Sequence, residues 1–368
     1  MNPIGLVHSI AFATSRNMTV GAARRFAASG VNADDYYTLE ASQLSALTGV
    51  NPERFSEKRR KAELSAASAE VEFLENSGVR AVFCWNEDYP ERLAMCDDAP
   101  AVLFVLGKMP HYRHVLSIVG TRHCTAYGKA FTERFVADVA AMYDDVLIVS
   151  GLALGIDICA HRAAMNSGLP TAAVLAHGLN TIYPHEHRSD ARRIVTDGGF
   201  LATEYRSSDI IHRGNFLARN RIVAGLSDAT IVVESDLRGG AMATARIAEA
   251  YNRELMAVPG RTTDQYSRGC NALIAREQAH ILRDASDLEG LMNWEPVAAE
   301  GTQRTLDFDI PDKFSSVTAL LRERPDMTAD EMAIALAMPI NRLNDILFEM
   351  EMSDLGTTVP GGRFVLTI

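Results

Sequence analysis

The sequence lacks several features that would place it in familiar classes of protein. No apolar run reaches the roughly 18 residues that a membrane-spanning helix needs, so we expect no membrane partner. Residues 1–10 carry no basic stretch ahead of an apolar one, and we expect no signal peptide. The five cysteines are scattered and include no Cys-x-x-Cys pair. This cysteine pattern is typical of free thiols in a reducing cytoplasm, which is the predicted location.

Signatures of common enzyme sites are also missing. No Gly-x-x-x-x-Gly-Lys-Ser/Thr loop is present, which excludes ATPase chemistry of that kind, and no Ser-His-Asp or Cys-His arrangement can be defended. Asp157 and His161 stand four residues apart, but no third ligand lies nearby, so we interpret Asp157 as a helix cap and His161 as a local hydrogen-bonding partner. We interpret His185 and His187 as part of a solvated loop. The sequence therefore predicts no catalytic residue, no metal ion and no cofactor.

Lysine is scarce, with 5 lysines against 31 arginines, and the net charge of −11 argues at first sight against a nucleic-acid partner. The distribution of charge changes that interpretation. Residues 206–276 hold ten arginines, no lysine and seven carboxylates, a net charge of +3, which leaves −14 for the rest of the chain. An arginine-rich positive segment suits the binding of phosphate groups.

The length of 368 residues suggests two or three domains. We predict an N-terminal helical domain at 1–75, a sheet domain at 76–292, a linker at 293–312 and a C-terminal domain at 313–368. The turn at residues 48–52 resembles that of a helix–hairpin–helix unit, which binds a DNA phosphate through backbone amides. Asn51 stands where that motif has its second glycine, and we favour a simple helical packing domain.

The sheet domain shows a regular alternation of strands and helices. Apolar strands are predicted at 79–84, 101–106, 115–119, 146–150, 171–176, 200–203, 229–233 and 255–258. Helices are predicted between the later strands, at 126–142, 156–166, 186–197, 215–226 and 241–252. Unbroken apolar strands separated by helices indicate a mostly parallel, doubly wound α/β sheet of an extended Rossmann-like type, whose ligands bind at the carboxyl ends of the strands.

The C-terminal domain reads as three helices followed by a hairpin at Val359-Pro-Gly-Gly-Arg363, the order of a winged helix. Its third helix, at 341–352, carries Asp345, Glu349 and Glu351 against a single Arg342. Such acidic charge would repel DNA phosphates, so we interpret this winged-helix-like domain as protein-binding or vestigial.

Glycine-rich turns follow three of the predicted strands. They are Gly120-Thr121-Arg122, Ser150-Gly-Leu-Ala-Leu-Gly-Ile-Asp157, and Gly239-Gly240 with Arg238 before it. Backbone N–H groups at such turns bind phosphate oxygens, and nearby arginines add charge. Three such turns on one sheet predict a ligand with several phosphates.

The segment Phe216-Leu-Ala-Arg-Asn-Arg221 lies on a predicted helix beside these turns. Phe216 could stack on a base, Arg219 and Arg221 could bind phosphates, and Asn220 could cap or hydrogen-bond. The alternative is that Phe216 belongs to the core and the arginines to a solvated helix face. Because arginines two apart do not share a helix face, one of them could also be structural.

A different class of function also fits a glycine turn followed by Thr244. Enzymes that cleave nucleotide N-glycosidic bonds have a similar glycine-rich turn followed by a threonine, and they carry a catalytic carboxylate two residues after that threonine. Here that position is Arg246, which reverses the charge. A nucleotide-binding enzyme of this phosphoribohydrolase type is therefore the alternative, and binding of a polyanion is favoured.

The motifs of the sheet domain, taken in order, resemble the DNA-processing protein A (DprA/Smf) family over about 200 residues, from Tyr89-Pro90 to Leu288. The shared motifs are Gly-Thr-Arg122, Ser150-Gly-Leu-Ala-Leu-Gly-Ile-Asp157 with Ala160-His161, Tyr183-Pro184, Glu204-Tyr205, Phe216-x-x-Arg-Asn-Arg221, Gly240-x-x-x-Thr-Ala245, Ala257-Val-Pro-Gly260 and Gly269-Cys-Asn-Ala-Leu-Ile274. The flanking helical and winged-helix modules are also similar to the family's architecture.

The resemblance implies a non-enzymatic, sequence-independent single-stranded DNA-binding protein. It would protect incoming DNA in natural transformation (competence) and load the RecA recombinase during DNA recombination. It also implies a homodimer formed through the Rossmann-like domain. The family's DNA pocket corresponds to Gly120, Thr121, Arg122, Phe216, Arg219, Asn220, Arg221, Arg238 and Gly240.

Two departures from the family pattern lie in this pocket. Leu217 replaces the usual proline after Phe216, and Gly239-Gly240-Ala241 replaces a loop of Ser-Gly-Ser type. The second change removes hydroxyl donors and keeps the backbone amides, so phosphate binding is expected to survive in principle.

Overall fold

The computed structural model describes residues 3–16, 18–297, 312–324, 327–353, 355–359 and 362–366. Its contacts divide the chain into two compact units, Met1–Val297 and Ala298–Ile368. The N-terminal helices and the sheet belong to the first unit, so the boundary that we predict near residue 75 stays a prediction. Most of the predicted linker, residues 298–311, lies outside the described residues.

Five helices precede the sheet: α1 (Pro3–Ala13), α2 (Val20–Ala28), α3 (Ala33–Thr38), α4 (Ala41–Thr48) and α5 (Glu57–Ser77). Local signals set their ends. Thr19 caps α2 by accepting from the Ala22 amide at 3.3 Å, and α4 ends at Gly49, whose φ of 68° suits a residue without a side chain. Helix α5 packs Ala67, Val71 and Leu74 onto the sheet.

The sheet has nine strands: β1 (Arg80–Phe83), β2 (Val102–Gly107), β3 (His114–Val119), β4 (Val146–Ser150), β5 (Thr171–Val174), β6 (Phe200–Thr203), β7 (Ala229–Val232), β8 (Glu254–Ala257) and β9 (His280–Ile281). Their order is β1-β2-β6-β5-β4-β3-β7-β8-β9. Strands β1 and β2 pair antiparallel, as do β2 and β6, and all the other neighbours are parallel. The predicted mostly parallel sheet is confirmed.

Eight further helices accompany the strands: α6 (Glu91–Ala94), α7 (Ala126–Met142), α8 (Ile156–Asn166), α9 (Arg188–Thr196), α10 (Arg213–Gly225), α11 (Gly240–Ala250), α12 (Arg268–Ala275) and α13 (Asp287–Met292). Helices α10, α11 and α12 bury their apolar residues with one face of the sheet, whereas α7 and α8 pack on the other. Within the described ranges, no helix combines the length and the apolar character that crossing a bilayer requires.

The alternation of β4 side chains explains this two-sided core. Leu147 and Val149 join one apolar cluster, while Val146 and Ile148 join the other, because successive side chains of a strand point to opposite faces. A strand covered on both faces must be apolar throughout, and this property made it recognisable in the sequence.

The second unit contains α14 (Asp312–Glu323), β10 (Met327–Thr328), α15 (Ala329–Ala335), α16 (Ile340–Met352), β11 (Gly356–Val359) and β12 (Arg363–Leu366). Its strands form a separate sheet in the order β10-β12-β11. The expected hairpin is present as the antiparallel pair β11 and β12, although two residues of its turn, Pro360 and Gly361, lie outside the described residues. Assignment of this unit as a winged helix stays a prediction.

Candidate functional site

An open cleft of about 810 Å³ lies at the carboxyl edge of the sheet. The order of strands reverses at β3, with β4, β5 and β6 on one side and β7 and β8 on the other. Loops that leave neighbouring strands in opposite directions open a crevice at such a switch point, where α/β proteins bind ligands. We call this crevice the sheet cleft. Eight of the nine predicted site residues line it: Gly120, Thr121, Arg122, Phe216, Arg219, Asn220, Arg238 and Gly240.

The loop after β3 presents an arginine to the sheet cleft. A side chain at Gly120 would place its Cβ 2.4 Å from Ile156 Cγ1, so only glycine allows the loop to pack this closely on α8. The Thr121 amide donates to the Glu234 carbonyl at 2.7 Å, and Thr121 Oγ1 accepts from the amide of His123 at 3.1 Å. These bonds fix the loop that carries Arg122.

The loop after β7 provides open backbone donors. Helix α11 begins at Gly240 with Gly239 as its N-cap, so the first amides of the helix have no partner within it. A Cβ at Gly240 would meet nothing closer than Asn220 Nδ2 at 3.9 Å, which leaves room for a ligand against the backbone. The exposed Arg238 precedes this turn. The positive end of the helix dipole and this arginine together favour a phosphate group.

Helix α10 contributes an aromatic surface to the cleft. Phe216 is half-buried and meets Tyr183 edge-on, with ring centroids 5.7 Å apart and an angle of 64° between the planes. The guanidinium of Arg122 lies 5.8 Å from the centroid of the Phe216 ring. This arrangement leaves part of the ring open and places a cation beside it, which suits a flat ligand that carries a negative charge.

Arg219 lies under the cleft and is bound mainly to the protein. It is 4% exposed, and its Nη1 donates to the Gly151 carbonyl at 2.6 Å and also to the Val174 carbonyl. Burial lowers the pKa of Arg219, while the carboxylate of Asp157 acts to raise it. The same burial raises the pKa of Asp157, and the Arg219 charge opposes that shift. Arg219 therefore joins α10 to the ends of β4 and β5 from inside the structure.

Arg221 is the predicted site residue that the structure does not bring into the sheet cleft. Its Nη2 donates to Glu204 Oε2 at 2.6 Å, and both side chains are 18% exposed. Burial raises the pKa of Glu204, whereas the charge of Arg221 and its hydrogen bond lower it. Asn220, between the two arginines, donates from Nδ2 to the Gly240 carbonyl at 3.4 Å and so connects α10 with the start of α11.

The cleft also contains residues that were not among the predicted site residues, and four of these have aromatic or basic side chains: His123, Tyr183, Arg213 and Tyr266. The rings of His123 and Tyr266 stack with centroids 6.5 Å apart and 12° between planes. Arg213 is exposed at the start of α10. The positive segment 206–276 pointed to Arg213, but nothing in the sequence places the two tyrosines beside the glycine turns.

The second glycine turn, between β4 and α8, uses its amides within the protein. The Gly151 amide donates to Asp157 at 3.2 Å, that of Leu152 to His161 Nε2 at 3.3 Å, and that of Ile156 to the Thr121 carbonyl at 3.2 Å. A Cβ at Gly155, whose φ is 80°, would lie 2.1 Å from the Thr121 carbonyl oxygen. This turn therefore supports the Arg122 loop.

Buried histidines around this turn are structural. His161 is fully buried, and since its Nε2 accepts from an amide, its Nδ1 carries the proton and donates to Thr171 Oγ1 at 2.7 Å. Burial, reinforced by the charge of Arg219, lowers the pKa of His161 to about 3, so the ring is neutral. The interpretation of His187 as a solvated loop residue is wrong, because it is 3% exposed and bonded to the Leu152 carbonyl at 2.8 Å.

The carboxylates near the cleft are engaged by protein donors. Glu234 is 2% exposed and accepts from the amide and hydroxyl of Thr125 at 2.9 and 2.5 Å. Asp236 accepts from Gln265 Nε2 at 3.0 Å and from Arg268 Nη2 at 3.1 Å, and these contacts lower its pKa. Among the residues whose positions are described, no three His, Cys, Asp or Glu side chains converge as they would at a metal site. The exposed charges of the cleft are its arginines.

Comparison with known proteins identifies a matching family and similar proteins. A sequence model described as DNA recombination-mediator protein A matches residues 80–293. Protein Smf of Escherichia coli (strain K12) is 34% identical over 283 residues, which cover 75% of this chain and 75% of that protein.

Two solved structures have a similar fold. The X-ray structure of DNA processing protein A (DprA) from Streptococcus pneumoniae superposes with a TM-score of 0.58 and 28% identity, covering 74% of this chain and 98% of that one. DNA processing protein A from Helicobacter pylori, whose structure gives insights into its single-stranded DNA binding mode, superposes with a TM-score of 0.52 and 29% identity, covering 58% of this chain and 95% of that one.

Proposed function

The chain belongs to the DNA recombination-mediator protein A family, and we propose that it binds single-stranded DNA in the sheet cleft without sequence preference. One observation carries the proposal. Three exposed arginines, Arg122, Arg213 and Arg238, surround the cleft, and within the described part of the chain none of them has an ion-pair partner. They lie beside open helix amides and an accessible aromatic ring.

The chemistry of these groups accounts for binding of a strand without reading of its sequence. Guanidinium groups and helix-terminal amides bind phosphate oxygens, which every nucleotide presents alike. Phe216, with Tyr183 beside it, offers a stacking surface, and each base has a face that can stack. A paired duplex hides those faces, so we expect single strands to be preferred.

The contacts of the α10 arginines lead us to assign them different roles from those implied by the family resemblance. We propose that Arg219 positions the floor of the cleft and that Arg221 holds α10 through Glu204. The phosphate-binding role passes to Arg122, Arg213 and Arg238. The exposed edge of Arg219 still lines the cleft, so a bound phosphate would also benefit from its charge.

Charge-matched variants test this proposal. In Arg122→Gln/Arg213→Gln/Arg238→Gln, fluorescence anisotropy with labelled oligo-dT should show weaker binding and a log–log salt slope reduced by about 2, at roughly 0.7 for each phosphate that an arginine no longer neutralises. The control is Arg188→Gln/Arg192→Gln/Arg276→Gln, three exposed arginines outside the cleft. Equal binding by the two variants would refute the cleft as the DNA site.

We further propose that the bound strand is delivered to the RecA recombinase, that the protein protects incoming DNA in natural transformation, and that it acts as a homodimer. Family membership supports these roles. A recombinase-loading assay on DNA coated with a single-strand-binding protein tests delivery, and light scattering tests the dimer. Failure to stimulate loading would remove the mediator role and leave DNA binding intact.

We also propose that the C-terminal residues 313–368 act as an adaptor that recruits a protein partner. In α16, Glu349 pairs with Lys313 and Glu351 accepts from the Thr358 amide at 3.1 Å, whereas Asp345 is exposed. The remaining negative charge disfavours DNA. Deletion of 313–368 should leave oligo-dT affinity unchanged and reduce recombinase loading, and unchanged loading would contradict the adaptor role.

The alternative is a phosphoribohydrolase-type enzyme that binds one nucleotide at the same turns. Asp157 favours it, since this carboxyl lines the cleft and burial raises its pKa, as in many catalytic acids. Against it, Asp157 is 8% exposed and holds the Gly151 amide, and Arg246 lies outside the cleft. Release of free base from nucleoside monophosphates, abolished in Asp157→Asn, would establish the enzyme. We expect no release.

A further inference from the structure

A second group of arginines lines a separate cleft of about 720 Å³ among the N-terminal helices. We call it the arginine cleft, after Arg16, Arg25, Arg54 and Arg59. Among the residues that the structure describes, no aspartate or glutamate lines it, although the whole chain has a net charge of −11. Several positive charges around one opening favour the binding of an anion there.

Three of these arginines are uncommitted. Arg59 pairs with Glu63 at 3.1 Å, and this carboxylate also accepts from Ser15 Oγ at 2.7 Å. Arg16, Arg25 and Arg54 are exposed, and no ion pair joins any of them to another residue of the described ranges. They can therefore be directed at a ligand without breaking a contact of the fold.

The turn between α4 and α5 forms one wall of the cleft but does not bind anions through its backbone. The Gly49 amide donates to the Ser45 carbonyl at 2.9 Å, that of Val50 to Thr48 Oγ1 at 3.3 Å, and that of Glu53 to Asn51 Oδ1 at 2.9 Å. A helix–hairpin–helix site needs such amides to be free. The guanidinium groups are thus the charged donors that this cleft offers to an anion.

One wall of the arginine cleft is attached to the carboxyl edge of the sheet, the edge that holds the sheet cleft. Thr19, which follows Met18 in the cleft wall, forms a β-bridge with Pro100, just before β2. The register of β2 places its start beside the end of β6, which is the carboxyl edge of the parallel strands. Four strand spacings separate β2 from β3, a lateral distance of about 19 Å at roughly 4.8 Å each.

We propose that the arginine cleft binds the phosphates of the same single DNA strand beyond the nucleotides held in the sheet cleft. This inference rests on the proposed function. The two clefts would form one electrostatic track along the sheet edge, and strands long enough to reach both would bind more tightly than short ones. An OB-fold module binds about 4–16 nucleotides of single strand, and a strand long enough for two sites of that size is expected to reach both clefts.

The test compares two lengths of oligo-dT, roughly 6 and roughly 30 nucleotides, chosen to fill one module or more than one. In Arg16→Gln/Arg25→Gln/Arg54→Gln, we expect unchanged affinity for the short strand. For the long strand we expect roughly tenfold weaker binding, with a salt slope smaller by about 2. The control is again Arg188→Gln/Arg192→Gln/Arg276→Gln, which removes the same charge elsewhere.

The outcomes separate this inference from the proposed function. If the variant and the control bind the long strand equally while the wild type binds both strands, the arginine cleft is not part of the site and the sheet cleft remains. If the variant loses duplex binding and keeps long single strands, the cleft serves duplex DNA and the inference is overturned. If the wild type binds neither strand, the proposed function fails first.

Discussion

Replacement of Arg219 by alanine should affect folding as well as DNA binding. The guanidinium is 4% exposed and satisfies the carbonyls of Gly151 and Val174. Its removal leaves these acceptors without their donor and leaves Asp157, which is 8% exposed, without the nearby positive charge. Removing one partner of a buried charge pair costs about 3–5 kcal/mol. Since no direct ion pair joins Arg219 to Asp157, we expect the lower end, about 3 kcal/mol.

Urea unfolding at neutral pH, followed by tryptophan fluorescence, measures this loss, because Trp85 and Trp294 both lie in the first unit. The double variant Arg219→Ala/Asp157→Asn should recover about 1 kcal/mol or more, since a neutral amide is easier to bury than a carboxylate. Arg122→Ala, an exposed control, should stay within about 0.5 kcal/mol of the wild type. A loss below about 1 kcal/mol in Arg219→Ala would show that Arg219 is mainly a ligand group.

Three further predictions concern single residues. Phe216→Ala should weaken oligo-dT binding by about 1–3 kcal/mol, the value of one base stack, with Phe216→Tyr near wild type, and equal anisotropy curves would exclude stacking. Arg221→Ala should lower the free energy of unfolding by about 1–3 kcal/mol, because Glu204 loses its partner. The affinity of the folded variant for oligo-dT should change little, and a loss of that affinity without a loss of stability would contradict the proposed role. Because the pKa of His161 is lowered to about 3 in the folded protein, only the unfolded chain binds a proton at this histidine between about pH 6.5, the ordinary pKa of histidine, and pH 3. The contribution of His161 to stability should therefore fall as the pH falls from about 6.5 towards 3, by roughly 1.4 kcal/mol per unit, and this contribution should be missing in His161→Gln. The same pH dependence in the wild type and in His161→Gln would contradict a lowered pKa of His161.

Much of the fold was predictable because its strands are buried on both faces. All eight predicted strands are present, since a strand such as β4 must be apolar at every position. The ninth strand, β9, was missed because it has two residues, both exposed, at the edge of the sheet. The carboxyl-edge position of the candidate site followed from the parallel topology.

The candidate site was predictable where it depends on local sequence. The turn at Gly120 is recognisable because a glycine directly follows an apolar strand, and the turn at Gly239-Gly240 because a glycine pair directly precedes a predicted helix. Tyr183 and Tyr266 come from distant loops, and their approach depends on tertiary packing that no local pattern encodes. The different surroundings of Arg219 and Arg221 follow from the helix, which points residues two apart in different directions, but the sequence does not tell which of them faces the cleft.

The most direct test of DNA binding is a salt titration of the wild-type protein with labelled oligo-dT, using duplex of equal length as competitor. We predict that affinity falls steeply with rising salt, with a log–log slope of about −2 or steeper from the three sheet-cleft arginines. We also predict little displacement by duplex. Binding that is insensitive to salt, that duplex displaces equally well, or that is absent at low salt would contradict the account.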